Sequence, residues 1–168
     1  ISRGLVGSEM CIRDSARILN QTLPEVMAQL GDDYCIRHQA GKGSAEEVNA
    51  AYQANGVVNA AVTEFIDDVA EAYAWADLLV CRSGALTVSE VSAAGVGAIF
   101  VPFMHKDRQQ ALNADHLVDC GAAKMIEQPD LTVESLTQQI QHLDRQALLT
   151  MAKQARGAAK LNADRIVA

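Results

Sequence analysis

The sequence lacks the features of a membrane span, a disulfide framework and a zinc site. Aromatic residues make up 4% of the chain and prolines number 3. No apolar run approaches the roughly 20 residues that a spanning helix needs. The four cysteines (Cys11, Cys35, Cys81 and Cys120) follow no CxxC or Cys/His spacing. Such scattered cysteines are typical of reduced cytosolic thiols, so we expect a cytoplasmic protein without a zinc site.

Positive charge is also scarce. The chain has 14 Lys and Arg residues against 21 Asp and Glu, which gives a net charge of −7. Because this charge repels other polyanions, we expect no nucleic-acid partner and no attraction of this chain to an anionic membrane. The sequence is rich in apolar residues instead: they make up 49% of its 168 positions, enough for the core of one domain.

The stretch Asp77–Gln110 holds most of the chemistry that the sequence suggests. Leu78–Cys81 is an apolar run without polar alternation, which indicates a strand covered on both faces. A glycine turn, a helix over Thr87–Ala94 and a second buried strand over Ala98–Phe103 follow. A strand, helix and strand in this order form a βαβ unit. The unit predicts an α/β fold, a Rossmann-like parallel sheet with helices on both faces.

Apolar spacing predicts further elements on either side of this unit. Helices are expected over Ala16–Leu30, Ser44–Asn55, Ala70–Ala76, Gln109–Val118, Val133–Leu143 and Arg145–Lys160, and strands over Tyr34–His38, Asn59–Phe65 and Ala122–Ile126. We expect Ser44 to cap its helix, with Glu47 completing a capping box. We expect Asp67 and Asp68 to serve in capping the helix that follows them, not in catalysis.

Two polar segments fall at the carboxyl ends of the central strands, where parallel α/β sheets bind their ligands. Arg82–Thr87 precedes a helix whose free N–H groups and dipole favour an anion, and its glycine permits close approach. His105–Gln110 follows the next strand. Glu90, about two turns into the helix, offers a carboxylate of the kind that accepts two hydrogen bonds from a ribose diol. Together these segments predict a rim that binds phosphate and sugar.

Several segments resemble the C-terminal domain of the MurG family of glycosyltransferases: CRSGALTVSE, VPFMHKDRQQ, TEFIDDVAEAYAWADLLV, HQAGKG and ARILNQTLPEV. They follow in the expected order from about Ala16 to near the end of the chain. The family transfers N-acetylglucosamine (GlcNAc) from UDP-GlcNAc to lipid I, making lipid II for peptidoglycan, and so serves cell-wall biogenesis, cell shape and cell division. The resemblance implies a GT-B fold, of which this chain is the donor-binding domain. It also implies an inverting hexosyltransferase that uses no bound metal or other cofactor, and the sequence has no DxD motif.

The resemblance further implies a UDP-GlcNAc site, residue by residue. The uracil is expected to contact the backbone of Ile66 and the side chains of Phe65 and Val69, which we call the base corner. The diphosphate is expected on Arg82, Ser83, Gly84, Ala85, Leu86 and Thr87, and the ribose on Glu90. The sugar is expected to contact Gln109, Gln110 and Asn113, with His105 at the rim of the site. His38, Gln39 and Gly41 are implied as further wall residues. No catalytic residue is implied within this chain.

Most of these residues have a simpler alternative. Phe65 and Ile66 are equally typical of core residues at a strand end. Glu90 could equally be an ordinary carboxylate on the protein surface, where most glutamates lie, although we favour the ligand role. The alternative for His105 is an ordinary loop histidine with no role in binding. Arg82 either lines the site or pairs with a buried carboxylate, and the sequence leaves both open.

Residues 1–15 fit neither the periodicity of the rest nor the family. LVGSEMCIRDS is also what one frame of a common sequencing-library adapter would encode, so our hypothesis is a non-native segment 1–15 followed by the donor-binding domain, 16–168. The family has a glycine-rich GGSQGAR turn at residues 13–17 and a strand before it. We therefore expect this strand and turn to be lacking and a sheet edge or gap to be exposed. Resequencing without that library chemistry tests the hypothesis, and a continuous native frame refutes it.

Members of the family bind lipid I, hold the proposed general base and contact the cytoplasmic face of the inner membrane through their N-terminal domain. The resemblance therefore implies that this chain binds the donor but is inactive alone, since transfer needs both substrates in one geometry. Two other interpretations stay open: another GT-B enzyme such as a UDP-GlcNAc 2-epimerase, and a truncated product without function. HKDRQQ after VPF favours the transferase, and a cooperative melt would distinguish a folded domain from an unstable product.

Overall fold

Strands and helices alternate along residues 3–8 and 17–167, the part of the chain that the computed structural model describes, with side chains described for residues 17–159. The strands are β1 (Arg3–Ser8), β2 (Tyr34–Gln39), β3 (Ala60–Thr63), β4 (Leu78–Cys81), β5 (Gly97–Phe100) and β6 (Ala123–Met125). The helices are α1 (Arg17–Leu30), α2 (Ala45–Ala54), α3 (Val69–Trp75), α4 (Ala85–Ala94), α5 (Gln109–Asp119), α6 (Val133–Gln141) and α7 (Arg145–Val167), and a 3₁₀ turn spans Gln128–Asp130. From α1 onward the predicted order of elements is confirmed, with ends displaced by up to seven residues.

The strands form one sheet in the order β3-β2-β1-β4-β5-β6, and neighbouring strands run parallel. The predicted Rossmann-like sheet is therefore confirmed. Successive residues of β4 point to opposite faces: Leu78 and Val80 join a cluster with α1, α2 and α6, whereas Leu79 and Cys81 join a cluster with α3, α4 and α5. Every residue of β4 and β5 is buried, which is why both strands read as unbroken apolar runs.

The expectation that the first strand is lacking is wrong. Residues 3–8 form β1 in the middle of the sheet, paired with β2 from Arg3↔Tyr34 to Gly7↔His38 and with β4 from Leu5↔Leu78 to Ser8↔Cys81. Strand pairing uses backbone groups, so it places few demands on which side chains residues 3–8 carry. No gap is left between β2 and β4. Of the family's glycine-rich turn, predicted to be lost at residues 13–17, only residue 17 lies among the described residues.

Two helix caps differ from prediction. Ser44 precedes α2 with helical backbone angles and makes no side-chain capping bond, so the predicted capping box does not form. Asp68, rather than Asp67, caps α3: its Oδ1 accepts a 2.9 Å hydrogen bond from the N–H of Glu71. Gly95 ends α4 in the left-handed region (φ 68°), as expected for a glycine after the last helical turn.

The order of the strands indicates where a ligand is expected to bind. Beginning at β1, the chain adds β2 and β3 on one side, then returns to add β4, β5 and β6 on the other. In open α/β sheets the crevice at such a reversal, beyond the carboxyl ends of the strands, is the usual binding place. The turn after β4 opens into this crevice. Within residues 3–8 and 17–167, no helix combines the length and apolarity needed to cross a membrane.

Candidate functional site

The first turn of α4 presents unpaired backbone amides at this edge. Gly84 precedes the helix, and no side chain caps it. The first intrahelical bond runs from the N–H of Val88 to the carbonyl oxygen of Gly84 (3.0 Å), so the N–H groups of residues 85–87 have no partner inside the helix. A Cβ at Gly84 would meet no heavy atom within 4 Å, so the backbone there is open to close approach. With the positive end of the helix dipole, the turn suits an anion.

The side chains of this segment divide between solvent and core. Leu86 is 67% exposed, whereas Thr87 is buried and Ser83 is fully buried. The Ser83 hydroxyl donates to the carbonyl oxygen of Gln110 (2.7 Å), and Asn113 Nδ2 donates to the carbonyl oxygen of Ser83 (3.2 Å). Ser83 thus ties the turn after β4 to the first turn of α5. The hydroxyl predicted as a diphosphate contact is engaged in this link.

The residues predicted as sugar contacts come together at the start of α5. Gln109 Nε2 donates to Asn113 Oδ1 (3.3 Å), and Gln110 Oε1 accepts from the N–H of Phe103 (2.8 Å). The bond from Phe103 fixes the amide orientation of Gln110, which leaves its Nε2 as the donor end. These amides sit on the first two turns of α5, which Ser83 anchors to the turn after β4. They form a polar group able to bond sugar hydroxyls.

The loop between β5 and α5 is mostly exposed. His105 lies on its surface, with Nδ1 3.8 Å from Asp107 Oδ1 and its ring 5.8 Å from that of Phe103. Arg108, in the left-handed region (φ 53°), forms an ion pair with Glu127. A small pocket of about 50 Å³ lies between this loop and the 3₁₀ turn. The position of His105 fits both a rim residue and a plain loop histidine.

Arg82 is turned into the protein. It is 4% exposed, and its Nη1 donates to the carbonyl oxygens of Val101 (3.1 Å) and Pro102 (3.2 Å) and to Gln128 Oε1 (3.0 Å). Its guanidinium carbon also lies 5.5 Å from the ring centroid of Phe103. These contacts hold the end of β5 and the 3₁₀ turn against β4. Sequence reasoning did not anticipate Gln128.

The predicted base corner follows β3. Phe65 is 56% exposed, so its alternative as a core residue is wrong. Ile66 and Val69 are half-buried against the cluster beneath α3, α4 and α5. The N–H of Ile66 donates to Gln39 Oε1 (2.9 Å), and Gln39 itself is buried at the end of β2. The corner therefore offers an exposed ring beside a backbone turn that Gln39 holds in place.

Glu90 is half-buried on α4 and faces a tyrosine. The hydroxyl of Tyr73, on α3, donates to Glu90 Oε2 at 3.4 Å. Burial, followed by the nearby Cys81 and Glu90, raises the pKa of Tyr73. The phenol therefore remains a donor at neutral pH. Sequence reasoning missed Tyr73, although its spacing of four residues from Val69 places both on one face of the helix.

His38, implied as a wall residue, is a buried structural group. Its Nδ1 lies 2.7 Å from the Tyr52 hydroxyl and its Nε2 2.8 Å from Asn20 Oδ1. Asn20 Nδ2 donates to the carbonyl oxygen of Ala40, which fixes the amide so that Nε2 of the imidazole must carry the proton. Burial lowers the pKa of His38 to about 4. A neutral histidine bonded at both nitrogens supports the β2–α2 loop and does not act as a base.

The described side chains include no group of three or more His, Cys, Asp or Glu residues placed to hold a metal ion. The polar groups that the carboxyl edge offers to a ligand are instead helix amides, carboxamides and one carboxylate. This set suits an anionic, hydroxyl-rich ligand with a flat aromatic part. Such a ligand has the chemistry of a nucleotide sugar.

A parallel Rossmann-like sheet with an uncapped helix N-terminus at its strand-order reversal is the architecture of the nucleotide-binding class of α/β domains. The chain belongs to the glycosyltransferase family 28 C-terminal domain family, whose profile matches residues 7–166. This match confirms the resemblance identified from the sequence.

Two relatives illustrate the similarity. Over 153 residues the chain is 95% identical to the UDP-N-acetylglucosamine–N-acetylmuramyl-(pentapeptide) pyrophosphoryl-undecaprenol N-acetylglucosamine transferase of Vibrio campbellii, and 77% identical to that of Vibrio cholerae. Each alignment covers 91% of this chain and 43% of the relative. The chain thus spans less than half the length of these relatives.

Two solved structures are also similar to this chain. A crystal structure of Acinetobacter baumannii MurG, 40% identical, superposes with a TM-score of 0.86 over 95% of this chain and 48% of that one. A putative UDP-N-acetylglucosamine 2-epimerase from Listeria monocytogenes, 15% identical, gives a TM-score of 0.67 over 90% of this chain and 39% of that one. The second likeness shows a shared fold alone. The GT-B type of domain predicted from the sequence is confirmed.

Proposed function

We propose that this chain binds UDP-GlcNAc and is the donor half of the transferase that adds GlcNAc to lipid I. The observation that carries the proposal is the open first turn of α4 at the strand-order reversal, next to the carboxamides of α5. The names of the relatives, which specify the donor and the lipid-linked acceptor, support the same assignment. The proposal includes peptidoglycan synthesis as the biological role.

The donor spans the carboxyl edge of the sheet from β3 to α5. The uracil lies against Phe65 and Val69 and bonds the backbone at Ile66, and Glu90 accepts the ribose hydroxyls. The diphosphate lies on the turn 82–87, where the amides of α4 neutralise its charge. The GlcNAc hydroxyls bond the carboxamides of Gln109, Gln110 and Asn113, and His105 borders the sugar.

The reaction follows from this placement. An acceptor hydroxyl attacks C1 of GlcNAc while the bond from C1 to the diphosphate oxygen breaks, so the configuration at C1 inverts. Negative charge grows on the departing UDP, and the amides of α4 stabilise it more than they stabilise the bound donor. The hydroxyl proton passes to a general base outside this chain.

We assign acceptor binding, that base and contact with the membrane to the part of the relatives that this chain does not span. The domain then works in the cytoplasm, with full-length relatives at the cytoplasmic face of the inner membrane. Because positioning of both substrates supplies a large part of the rate, this chain binds donor without turnover. It needs no cofactor for donor binding.

Calorimetric titration with UDP-GlcNAc tests the proposal. We expect saturable binding to this chain, a Glu90→Ala protein that binds at least about tenfold more weakly through loss of charge-assisted bonds, and a control Glu25→Ala protein that binds like wild type. Glu25 is exposed on α1, so its removal changes charge equally without touching the site. Absence of binding by a cooperatively melting protein, or equal affinity for all three proteins, would contradict the assigned site.

A further inference from the structure

The buried hydroxyl of Tyr73 lies behind the Glu90 carboxylate. Tyr73 is 5% exposed, packs in the cluster beneath α3, α4 and α5, and donates to Glu90 Oε2 across the contact of the two helices. Glu90 is only half-buried, so the phenol meets the carboxylate from its inner side. No part of the donor assignment uses this contact.

We propose that Tyr73 is a positioning residue that holds the Glu90 carboxylate in the orientation that accepts both hydroxyls of a ribose. The inference rests on the proposed donor site and deepens it. A glutamate side chain has three rotatable bonds, and ordering them on ligand binding costs conformational entropy. A fixed donor on one carboxylate oxygen removes part of that cost before the ligand arrives. Each oxygen can accept more than one bond, so Oε2 remains able to receive a ribose hydroxyl.

The position of Tyr73 also connects two parts of the site. Val69 and Tyr73 are four residues apart, so they lie on one face of α3, and both belong to the same apolar cluster. Val69 borders the base corner and Tyr73 reaches Glu90. Helix α3 therefore borders the base corner through Val69 and contacts the carboxylate of Glu90 through Tyr73.

The protonation state of the phenol supports this role. Burial raises the pKa of Tyr73, and the neighbouring Cys81 and Glu90 raise it further. The hydroxyl keeps its proton at any pH used for binding. Its partner is a carboxylate, which has only lone pairs to offer when ionised, so the direction of the bond is fixed from Tyr73 to Glu90.

The test compares two ligands that differ only at the diol: UDP, and a uridine diphosphate whose ribose lacks both hydroxyls. Affinities are measured for wild type, Tyr73→Phe, Glu90→Ala and the double variant. Tyr34→Phe is the matched control, since it also removes a tyrosine hydroxyl, but at the first residue of β2, which lies at the amino ends of the strands and not at their carboxyl ends. Thermal melts of each protein establish that it is folded.

We expect Tyr73→Phe to weaken UDP binding by about 3- to 10-fold, the effect of one typical hydrogen bond, and to leave the affinity for the dideoxy ligand unaffected. In the Glu90→Ala background the same change has no effect. Equal affinity of Tyr73→Phe and wild type for UDP overturns the inference, and so does equal weakening for both ligands, which indicates a packing role. If wild type itself does not prefer UDP over the dideoxy ligand, the ribose assignment of Glu90 is wrong, and the inference falls with it.

Discussion

The side-chain oxygen of Gln39 accepts a 2.9 Å hydrogen bond from the backbone N–H of Ile66. This bond joins the end of β2 to the turn after β3, which has no regular structure of its own. Gln39 is 3% exposed, so water does not replace it readily. A base that bonds the backbone at Ile66 must therefore use the carbonyl oxygen or displace Gln39 from the N–H.

We predict that Gln39→Ala destabilises the domain by about 1–3 kcal/mol, because it leaves a partly buried N–H without its partner. Urea denaturation measures the change. Gln138→Ala is the control, because Gln138 is exposed on α6 and its loss is expected to cost little. Equal free energies of unfolding for the two variants would show that the bond does not hold the turn.

The buried histidine predicts a pH dependence of stability. The pKa of His38 falls from 6.5 to about 4 in the folded protein because of burial. Between these two pH values His38 is protonated in the unfolded chain but neutral in the folded one. The free energy of unfolding therefore decreases as the pH falls from 6.5 toward 4, and the contribution of His38 is fully present above pH 6.5. At about 1.4 kcal/mol per unit, the loss approaches about 3 kcal/mol.

Chemical denaturation between pH 4 and 7 measures this loss, and a His38→Gln protein separates it from the titration of carboxylates. We expect the difference in unfolding free energy between wild type and variant to shrink as the pH falls. A difference that stays constant across this range would mean that His38 titrates normally in the folded state.

The central unit was predictable because its signals are local. Strands β4 and β5 are buried on both faces, so apolar runs marked them, and Gly95 marked the end of α4. The links that support the site were not predictable in this way. Tyr73–Glu90, Gln39–Ile66 and Arg82–Gln128 join residues 17 to 46 positions apart, and only the folded sheet brings them together.

The link between Ser83 and Gln110 predicts a selective effect on sugar binding. Ser83→Ala removes a partly buried hydrogen bond from the turn after β4 to the first turn of α5, at a cost of about 0.5–2 kcal/mol in stability. Because the carboxamides of α5 are proposed to bond GlcNAc, we expect a larger loss of affinity for UDP-GlcNAc than for UDP. Calorimetric titration with both ligands measures this. Ser89→Ala, on the exposed face of α4, is the control, and an equal loss for both ligands would contradict the link.

Gly4 tests whether residues 3–8 form the central strand. Its N–H donates to Asp77 Oδ2 (2.8 Å), and a Cβ there would lie 3.0 Å from the carbonyl oxygen of Trp75 and 3.3 Å from its ring. We predict that Gly4→Val destabilises the domain by about 1–3 kcal/mol through overpacking, measured by urea denaturation. Ala61→Val is the matched control: it adds bulk at an exposed position of β3, where a β-branched residue suits a strand. A neutral Gly4→Val would mean that the segment does not occupy the middle of the sheet, and the six-stranded order would be wrong there.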